Sequence, residues 1–578
     1  MTRAFLMILI LIIPLSLPAA VSMRDTTIVW HTFDYQLTDD NMMESWSDTP
    51  YDTVSRTFQG LVLENDYLRV TLVPGYGGRI LSMIYKPTGH EQLYQNPVGT
   101  PYGIGEDWFY YKWLMVYGGI FPTLPEPEHG KAWLLPWTAE VIAQTKDSVS
   151  VRMSWRDSVA LDDINTGKWK YGVTGLTCDF TVTLVSGHSS LKADVIVSND
   201  AAIELDYEYW TCLTLAPGSD PQTPRCTRGA ELVIPASKVK IPPWYPDIAG
   251  QEESIAGERN MYTFNVLRDW ENWVNDGIAY PWDDPNADYW GVINQDNGEG
   301  LIRVADNRVT PGIKIWAWGY PASQDIDPFA QPQVSRRPYI RLWAGHSREF
   351  FEPAQIGQTT QKQWTELYAP TVGLAGVSHA NLHFIADLKL TEESEAALIE
   401  LMFVPADLES DCDVALEITG DHPQALQTEH ITPDPVNGNR IVAELPADQT
   451  WSVNDSVRFV LSSAGRALAG TCSLHEWSTR VETEEQIVRG HKLYQNYPNP
   501  FNAATTIEYR IASDAHVRIT VLNMLGETVE TLVNRQQHAG LHSIQWTADA
   551  ASGIYYYKLD VRTNTGQFTD LGKMVHVK

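Results

Sequence analysis

The chain has 578 residues, enough for about three to five domains at roughly 100 to 200 residues each. Its 72 acidic residues against 42 basic ones give a formal charge of -30, which repels phosphate backbones and anionic lipid, so nucleic acid and anionic membranes are excluded as partners. The five cysteines show no CxxC or His-paired spacing, and no phosphate-binding glycine loop, G-x-S-x-G elbow or H-E-x-x-H run occurs, so no metal or cofactor is expected.

In chain order, Met1-Thr2-Arg3, the apolar run Ala4 to Leu17 and the small-residue exit Ala20-Val21-Ser22 predict a secretory signal over residues 1–22, cut near Met23. The run is shorter than the ~20 residues that cross a bilayer, and no other stretch is apolar enough, so no span remains after cleavage. Export permits disulfides, for which Cys212 with Cys226 and Cys412 with Cys472 are the candidate pairs; free buried thiols are the alternative.

Eighteen of 21 tryptophans precede residue 365, which marks an aromatic, strand-rich domain over 24–370. Its stretch "ENDYLRVTLVPGYGGRILSMIYKPTGHEQLY" predicts two strands joined through Gly75, Gly77 and Gly78, where positive φ and missing side chains allow a close approach to sheet or ligand. Arg79 follows that turn and is placed within reach of a groove. Later strands split into an aliphatic and an aromatic or charged face. Ile340, Leu342 and Ala344 face the core, against Tyr339, Arg341 and Trp343 outward; Ile313, Ile315 and Ala317 oppose Lys314, Trp316 and Trp318. Trp364, Glu366 and Tyr368 share one side. "NQDNGEG", Asn294 to Gly300, offers oxygens but lacks D-x-D-x-D-G spacing and reads as a hairpin turn rather than a calcium loop.

Alternating strands such as "ANLHFIADLKL" and "SVRFVLSSA" predict a β-sandwich over 371–481, and the charged Glu482 to Arg489 falls in a linker at 482–492. The last module, 493–578, runs from "LYQNYPNPFN" through "LNMLGETVETL" and "SGIYYYKLDV" to the late Lys573-Met574-Val575. It closely resembles the C-terminal sorting domain of the Por (type IX) secretion system. That resemblance implies delivery across the outer membrane, to the medium or cell surface, by the type IX machinery.

The opening stretch resembles the start of the aldose-1-epimerase (galactose mutarotase) superfold. "YGGIFPTLPEPEHG", "VADNRVTPGIKIWAWG", "PYIRLWAGHSREFFEP" and "WTELYAP" fit an uncharacterised bacterial branch of it. The resemblance implies an all-β chain, a large mutarotase-like β-super-sandwich with a sugar groove on one face, followed by two small β-sandwich domains. Flat aromatics stack on sugar C–H faces while charged groups take hydroxyls, so Arg79, Trp210, Trp316, Trp318, Tyr339, Arg341, Trp343 and Trp364 are the candidate binding residues. The expected partner is an oligo- or polysaccharide.

Ring opening needs a base and an acid, for which the family uses a glutamate and histidines. His129 matches one histidine, no histidine falls in Tyr207 to Gly218 for the second, and Arg341 stands where the glutamate is expected. A guanidinium stays protonated and cannot be that base. Mutarotation is therefore disfavoured. If the protein is an enzyme, Glu128, His129, Glu208 and Glu366 are the candidate catalytic groups, with Glu126 and Asp206 also spare. They suit a glycoside hydrolase, or a lyase in which Arg341 and Arg79 neutralise a uronic-acid carboxylate. A non-catalytic carbohydrate-binding protein and a structural surface protein are the alternatives.

Overall fold

The computed structural model describes residues 21–577 except 38–42, 47–52, 96–117, 126–129, 134, 160–172, 228, 243–260, 269–276, 283–284, 319–338, 351, 394–395, 407–410, 446–449, 476–490, 495, 497–498, 500, 512–513, 539, 549–550 and 564–565. Residues 1–20 of the expected signal and most of the expected linker lie outside the described residues, whereas Val21 is buried in the core and Ser22 opens the first strand, Ser22–Phe33, so the fold begins within the expected 1–22 segment. The chain divides into two compact units, 1–474 and 475–578.

Among the described residues the fold is β throughout, with one short helix, Phe264–Arg268. No helix there is long and apolar enough to cross a membrane. In the first unit a twelve-stranded antiparallel sheet carries, at its centre, Arg79–Tyr85, Gly119–Thr123, Trp210–Ser219, Tyr339–Gly345 and Gly312–Trp318. It packs on an eight-stranded sheet that includes Glu299–Val304, Thr360–Val372, Leu191–Asn199, Thr177–Val185 and Ser148–Arg156. The outer strands of the second sheet show what period two requires of a half-buried strand. In Thr177–Val185 every second residue is buried, so Cys178, Phe180, Val182 and Leu184 meet the core.

The centre of the first sheet behaves differently, because its strands are buried on both faces. Ile340, Leu342 and Ala344 enter the core as expected, yet Arg341 and Trp343 on the other face are 2% and 0% exposed. The expected solvent-facing aromatic surface is thus covered. Part of the cover is Phe350, which folds back from the strand Tyr339–Gly345 and meets Trp210 and Trp343 edge-on at 5.5 and 5.9 Å.

The glycine-rich turn is built for close contact with Trp133 and Trp137, which precede the strand Thr138–Gln144. Gly77 and Gly78 take φ of 73° and 57°, whereas Gly75 does not need a positive φ. A Cβ at Gly77 would stand 2.1 Å from the Trp133 carbonyl oxygen, and one at Gly78 would stand 2.6 Å from the Trp137 indole. "NQDNGEG" closes a hairpin between Tyr289–Asn294 and Glu299–Val304.

After Val372 the same unit adds two four-stranded sheets, one with Phe384–Glu393, Ala396–Pro405 and Asn439–Glu444, the other with Cys412–Thr419, Gln424–Ile431, Ser456–Ser463 and Arg466–Ser473. The first of them shares a core with the eight-stranded sheet, in which Leu367 and Ala369 pack with Leu374, Ile385 and Val404. The second unit forms sheets of three and four strands around Phe501, Ile519, Trp546, Tyr557 and Met574.

Neither candidate disulfide forms, and the alternative of free buried thiols holds for Cys178, Cys212, Cys226 and Cys412. Cys412 opens its strand, whereas Cys472 pairs with Val457, which itself pairs with Ile418 at that strand's far end. Six residues at about 3.3 Å each hold the two thiols roughly 20 Å apart, well beyond bridging range. Cys226 instead donates its Sγ–H to the Leu215 carbonyl at 2.7 Å, while Cys212 is paired across the strands with Trp343.

Candidate functional site

Directly paired residues in an antiparallel sheet point to the same face. One row on the buried second face therefore reads Phe121, Cys212, Trp343, Lys314, and the next reads Gly119, Thr214, Arg341, Trp316. The alternate residues, among them Leu213, Leu342 and Ile315, go to the inter-sheet core. A set of cations and rings is thus gathered by register alone.

Lys314 Nζ lies 3.5 Å from the Trp343 ring centre and 3.4 Å from that of Phe350. The Arg341 guanidinium lies 5.3 Å from Trp343 and 6.0 Å from Trp316. Arg79 stacks 3.9 Å over Phe121 and donates to three carbonyls, Gly118 at 2.5 Å, Trp133 at 3.2 Å and Tyr76 at 3.4 Å. Ring faces stabilise desolvated cations through their quadrupoles, which explains how three charges tolerate this burial. Burial pulls the Arg79 pKa down to about 10; Tyr76 and Cys212 oppose the fall and Arg341 adds to it, so Arg79 stays charged at neutral pH. Burial likewise pushes the Cys212 thiol up, while Arg341, Lys314 and Arg79 each pull it back.

Of the expected site residues, Arg79, Trp316, Arg341 and Trp343 meet here. Trp210 joins them through Phe350, and Glu208 accepts a hydrogen bond from Trp210 Nε1 at 3.0 Å. Trp318 and Tyr339 pair across the adjoining strands. Glu126, Glu128 and His129 lie outside the described residues. Asp206 belongs to a separate pair of short strands, where it accepts a hydrogen bond from Gln355 at 3.0 Å.

Glu366 and Trp364 are elsewhere. Glu366 accepts from Thr211 Oγ1 at 2.9 Å, and Thr211 alternates with Cys212, so Glu366 occupies the inter-sheet core on the far side of the sheet from Arg341. It pairs with Arg303 at 3.1 Å, and both side chains are fully buried. It also accepts from Trp364 Nε1 at 2.7 Å and from the Tyr368 hydroxyl, so the three side chains predicted to share one side do converge. Glu366 is therefore held by Arg303 and lies away from the face that carries Arg341. Burial alone pushes the Glu366 carboxyl up, but Arg303 and the hydrogen bonds from Arg303, Tyr368 and Trp364 outweigh it, and the net pKa is lowered.

Beside this network His346 packs 4.5 Å from Trp364 and 5.5 Å from Tyr209, hydrogen-bonded at Nδ1 to the Tyr207 hydroxyl. Burial drives its pKa down to about 3; Lys362 lowers it further and Glu366 opposes. A folded pKa below the unfolded value of about 6.5 means that the unfolded chain takes the proton first. Native stability should therefore fall as pH drops from about 6.5 towards 3. In urea unfolding between pH 7 and 4.5, His346→Phe should flatten that slope; an unchanged slope removes the assignment.

Arg303, His346 and Lys314 are the site-forming residues that sequence reading left without a role. For Lys314 the signal was present, since it alternates with Ile313 and Ile315 beside Trp316. Arg303 and His346 gave none, because their partners arrive from distant strands. Among the described residues no group of His, Cys, Asp and Glu is arranged to hold a metal ion.

Comparison with known proteins gives two family matches. Residues 495–569 match the secretion system C-terminal sorting domain, and residues 41–156 match a domain of unknown function, DUF5107. The chain thus carries a type IX sorting domain, which directs it to the cell surface or the extracellular space. No curated protein matches the sequence significantly. Among solved structures, the fold is similar to a TPR-domain containing protein from Parabacteroides distasonis, at 16% identity and a TM-score of 0.47, covering 61% of this chain and 56% of that one. It is also similar to a putative aldose 1-epimerase from Klebsiella pneumoniae, at 14% identity and a TM-score of 0.38, covering 60% and 91%. A galactose mutarotase-like protein from Clostridium acetobutylicum is similar at 10% identity and a TM-score of 0.35, covering 60% and 99%.

Proposed function

We propose that this secreted chain binds a carbohydrate on the second face of its twelve-stranded sheet, and that the ligand is an acidic sugar. The observation that carries the reading is the convergence of Arg79, Lys314 and Arg341 with Trp210, Trp316, Trp343 and Phe350 on one face. Rings supply stacking area for C–H surfaces, and a guanidinium fork fits a carboxylate or sulfate with two parallel hydrogen bonds. Phe350 lies over Lys314 and Trp343, so a ligand that contacts these groups has to displace that residue.

Binding to uronic-acid and sulfated oligosaccharides, measured by calorimetry with neutral oligosaccharides in parallel, tests the proposal. Arg341→Glu should weaken an acidic ligand more than tenfold, about 1.4 kcal/mol or more, through charge reversal. A neutral ligand should suffer less. Unfolding midpoints recorded alongside separate lost binding from lost structure, and Lys314→Met provides an independent variant at the same face. Acidic-glycan affinity untouched by both substitutions would end the acidic-sugar reading. Release of reducing ends during the assay would add catalysis, with Glu208 the first carboxylate to replace.

A structural surface role is the second reading, favoured by the near-complete burial of Trp316 and Trp343, 2% and 0% exposed. Failure of every glycan class to bind would select it.

A further inference from the structure

Among the described residues of the sorting unit, large apolar side chains are exposed at Leu571 (55%) and Val577 (49%), and most strongly at one hairpin tip. In the hairpin between Ala515–Leu522 and Thr528–Gln537, Met524 and Leu525 are 69% and 83% exposed, and Val529 beside them is 43% exposed. Leu525 has the highest exposure among the large apolar side chains described in the chain.

The loop that carries them is fixed by its own hydrogen bonds. Asn523 N–H donates to the Glu527 carbonyl at 3.0 Å, and Gly526 N–H donates to the Asn523 carbonyl at 3.0 Å. The Asn523 side-chain oxygen accepts from Leu525 N–H at 2.9 Å and from Glu527 N–H at 3.0 Å, while its amide donates to the Glu527 carboxylate at 2.8 Å. Gly526 turns the chain at a φ of 80°, a conformation that costs a glycine little. Such a turn does not fold its side chains back onto the sandwich. It presents two large apolar groups to solvent on a stiff support, the arrangement of an anchor that inserts into a partner's pocket.

We propose that Met524 and Leu525 form the contact by which the secretion machinery reads the folded sorting unit, seated in an apolar pocket of a type IX component. The occupant follows from the match of this segment to a sorting domain, whose role is to be recognised by that machinery. Being 69% and 83% exposed, the two side chains bury little apolar surface in the fold, which leaves them open to a partner. A neighbouring strand edge or a terminal carboxylate would be read by backbone hydrogen bonds and would not need these two side chains.

The full chain expressed in a host with type IX secretion provides the test. With Leu525→Asp, or with Met524→Ser and Leu525→Ser together, protein outside the cell should fall at least tenfold while precursor accumulates in the periplasm. Leu525→Ile should export normally. Val453→Asp, which removes a 72% exposed apolar side chain from the first unit, should also export normally. Thermal unfolding of the purified variants should match the parent, and should Leu525→Asp melt early, the double serine variant decides by the same readout. Parental export of the variants overturns the proposal, as does equal loss in Val453→Asp. Loss of a parental dimer in sedimentation, with export retained, assigns the tip to a second copy and overturns it too.

Discussion

Replacing Glu366 by alanine should destabilise the first unit by about 3–5 kcal/mol, because it strands the Arg303 guanidinium in the inter-sheet core without its carboxylate. Three further donors, Thr211 Oγ1, Trp364 Nε1 and the Tyr368 hydroxyl, lose their acceptor at the same time. The double variant Glu366→Leu with Arg303→Met should recover most of the loss, since removing both charges removes the desolvation penalty as well as the attraction. The pH dependence has a definite sign. Glu366 is held below its ordinary value in the folded state, so its contribution is complete above the unfolded pKa of about 4.3 and drains away as pH falls through the folded one. Urea unfolding of the two singles and the double closes the cycle. A loss under 1 kcal/mol for Glu366→Ala would show that the pair is not the support described, and would reopen a role for Glu366 in chemistry.

Periodicity exposed the all-β class and the two faces of the strands around Arg341 and Trp316, because a residue's direction in a strand depends only on its parity. It did not show which face was covered. Arg341 and Trp343 were read as solvent-facing because a charged or aromatic stripe ordinarily is, whereas both are buried, and Phe350 covers Trp343 from beyond the end of its own strand. The same limit separated Glu366 from Arg341. Both lie on strands with a legible polar face, but the polar face of Thr360–Val372 looks inward at Thr211 and Arg303, and only sheet stacking decides that. Where the partner sits nearby in sequence, as in the "NQDNGEG" hairpin, the reading needed no such information. The cysteine pairs failed for the complementary reason: oxidising export permits a bridge, but register placed Cys412 and Cys472 at opposite ends of their sheet.

Gly77→Ala should cost about 3 kcal/mol or more, whereas Gly75→Ala, two residues away, should be neutral or slightly stabilising. At Gly77 two penalties add. A positive φ of 73° disfavours an L side chain by about 1–2 kcal/mol, and a Cβ 2.1 Å from the Trp133 carbonyl forces a backbone shift of the kind that costs about 1–3 kcal/mol. At Gly75 no atom lies within 4 Å of the added Cβ and φ is not positive, so alanine mainly restricts the unfolded chain, worth about 0.4–1 kcal/mol in favour of folding. The consequence extends from fold to site. The Trp133 carbonyl that an alanine would displace is the acceptor of Arg79 Nη2 at 3.2 Å, and the turn itself is tied to the same segment by Gly77 N–H on the Leu135 carbonyl at 2.9 Å. Moving that segment releases one of the carbonyls that aim Arg79 toward Phe121 and the Arg341 face. If the proposed acidic-glycan site is the ligand site, Gly77→Ala should weaken that binding at temperatures where the protein is still folded, and Gly75→Ala should not. Equal unfolding midpoints for the two variants would mean that the turn is glycine-rich for reasons unconnected with Trp133, and would detach Arg79 from the site.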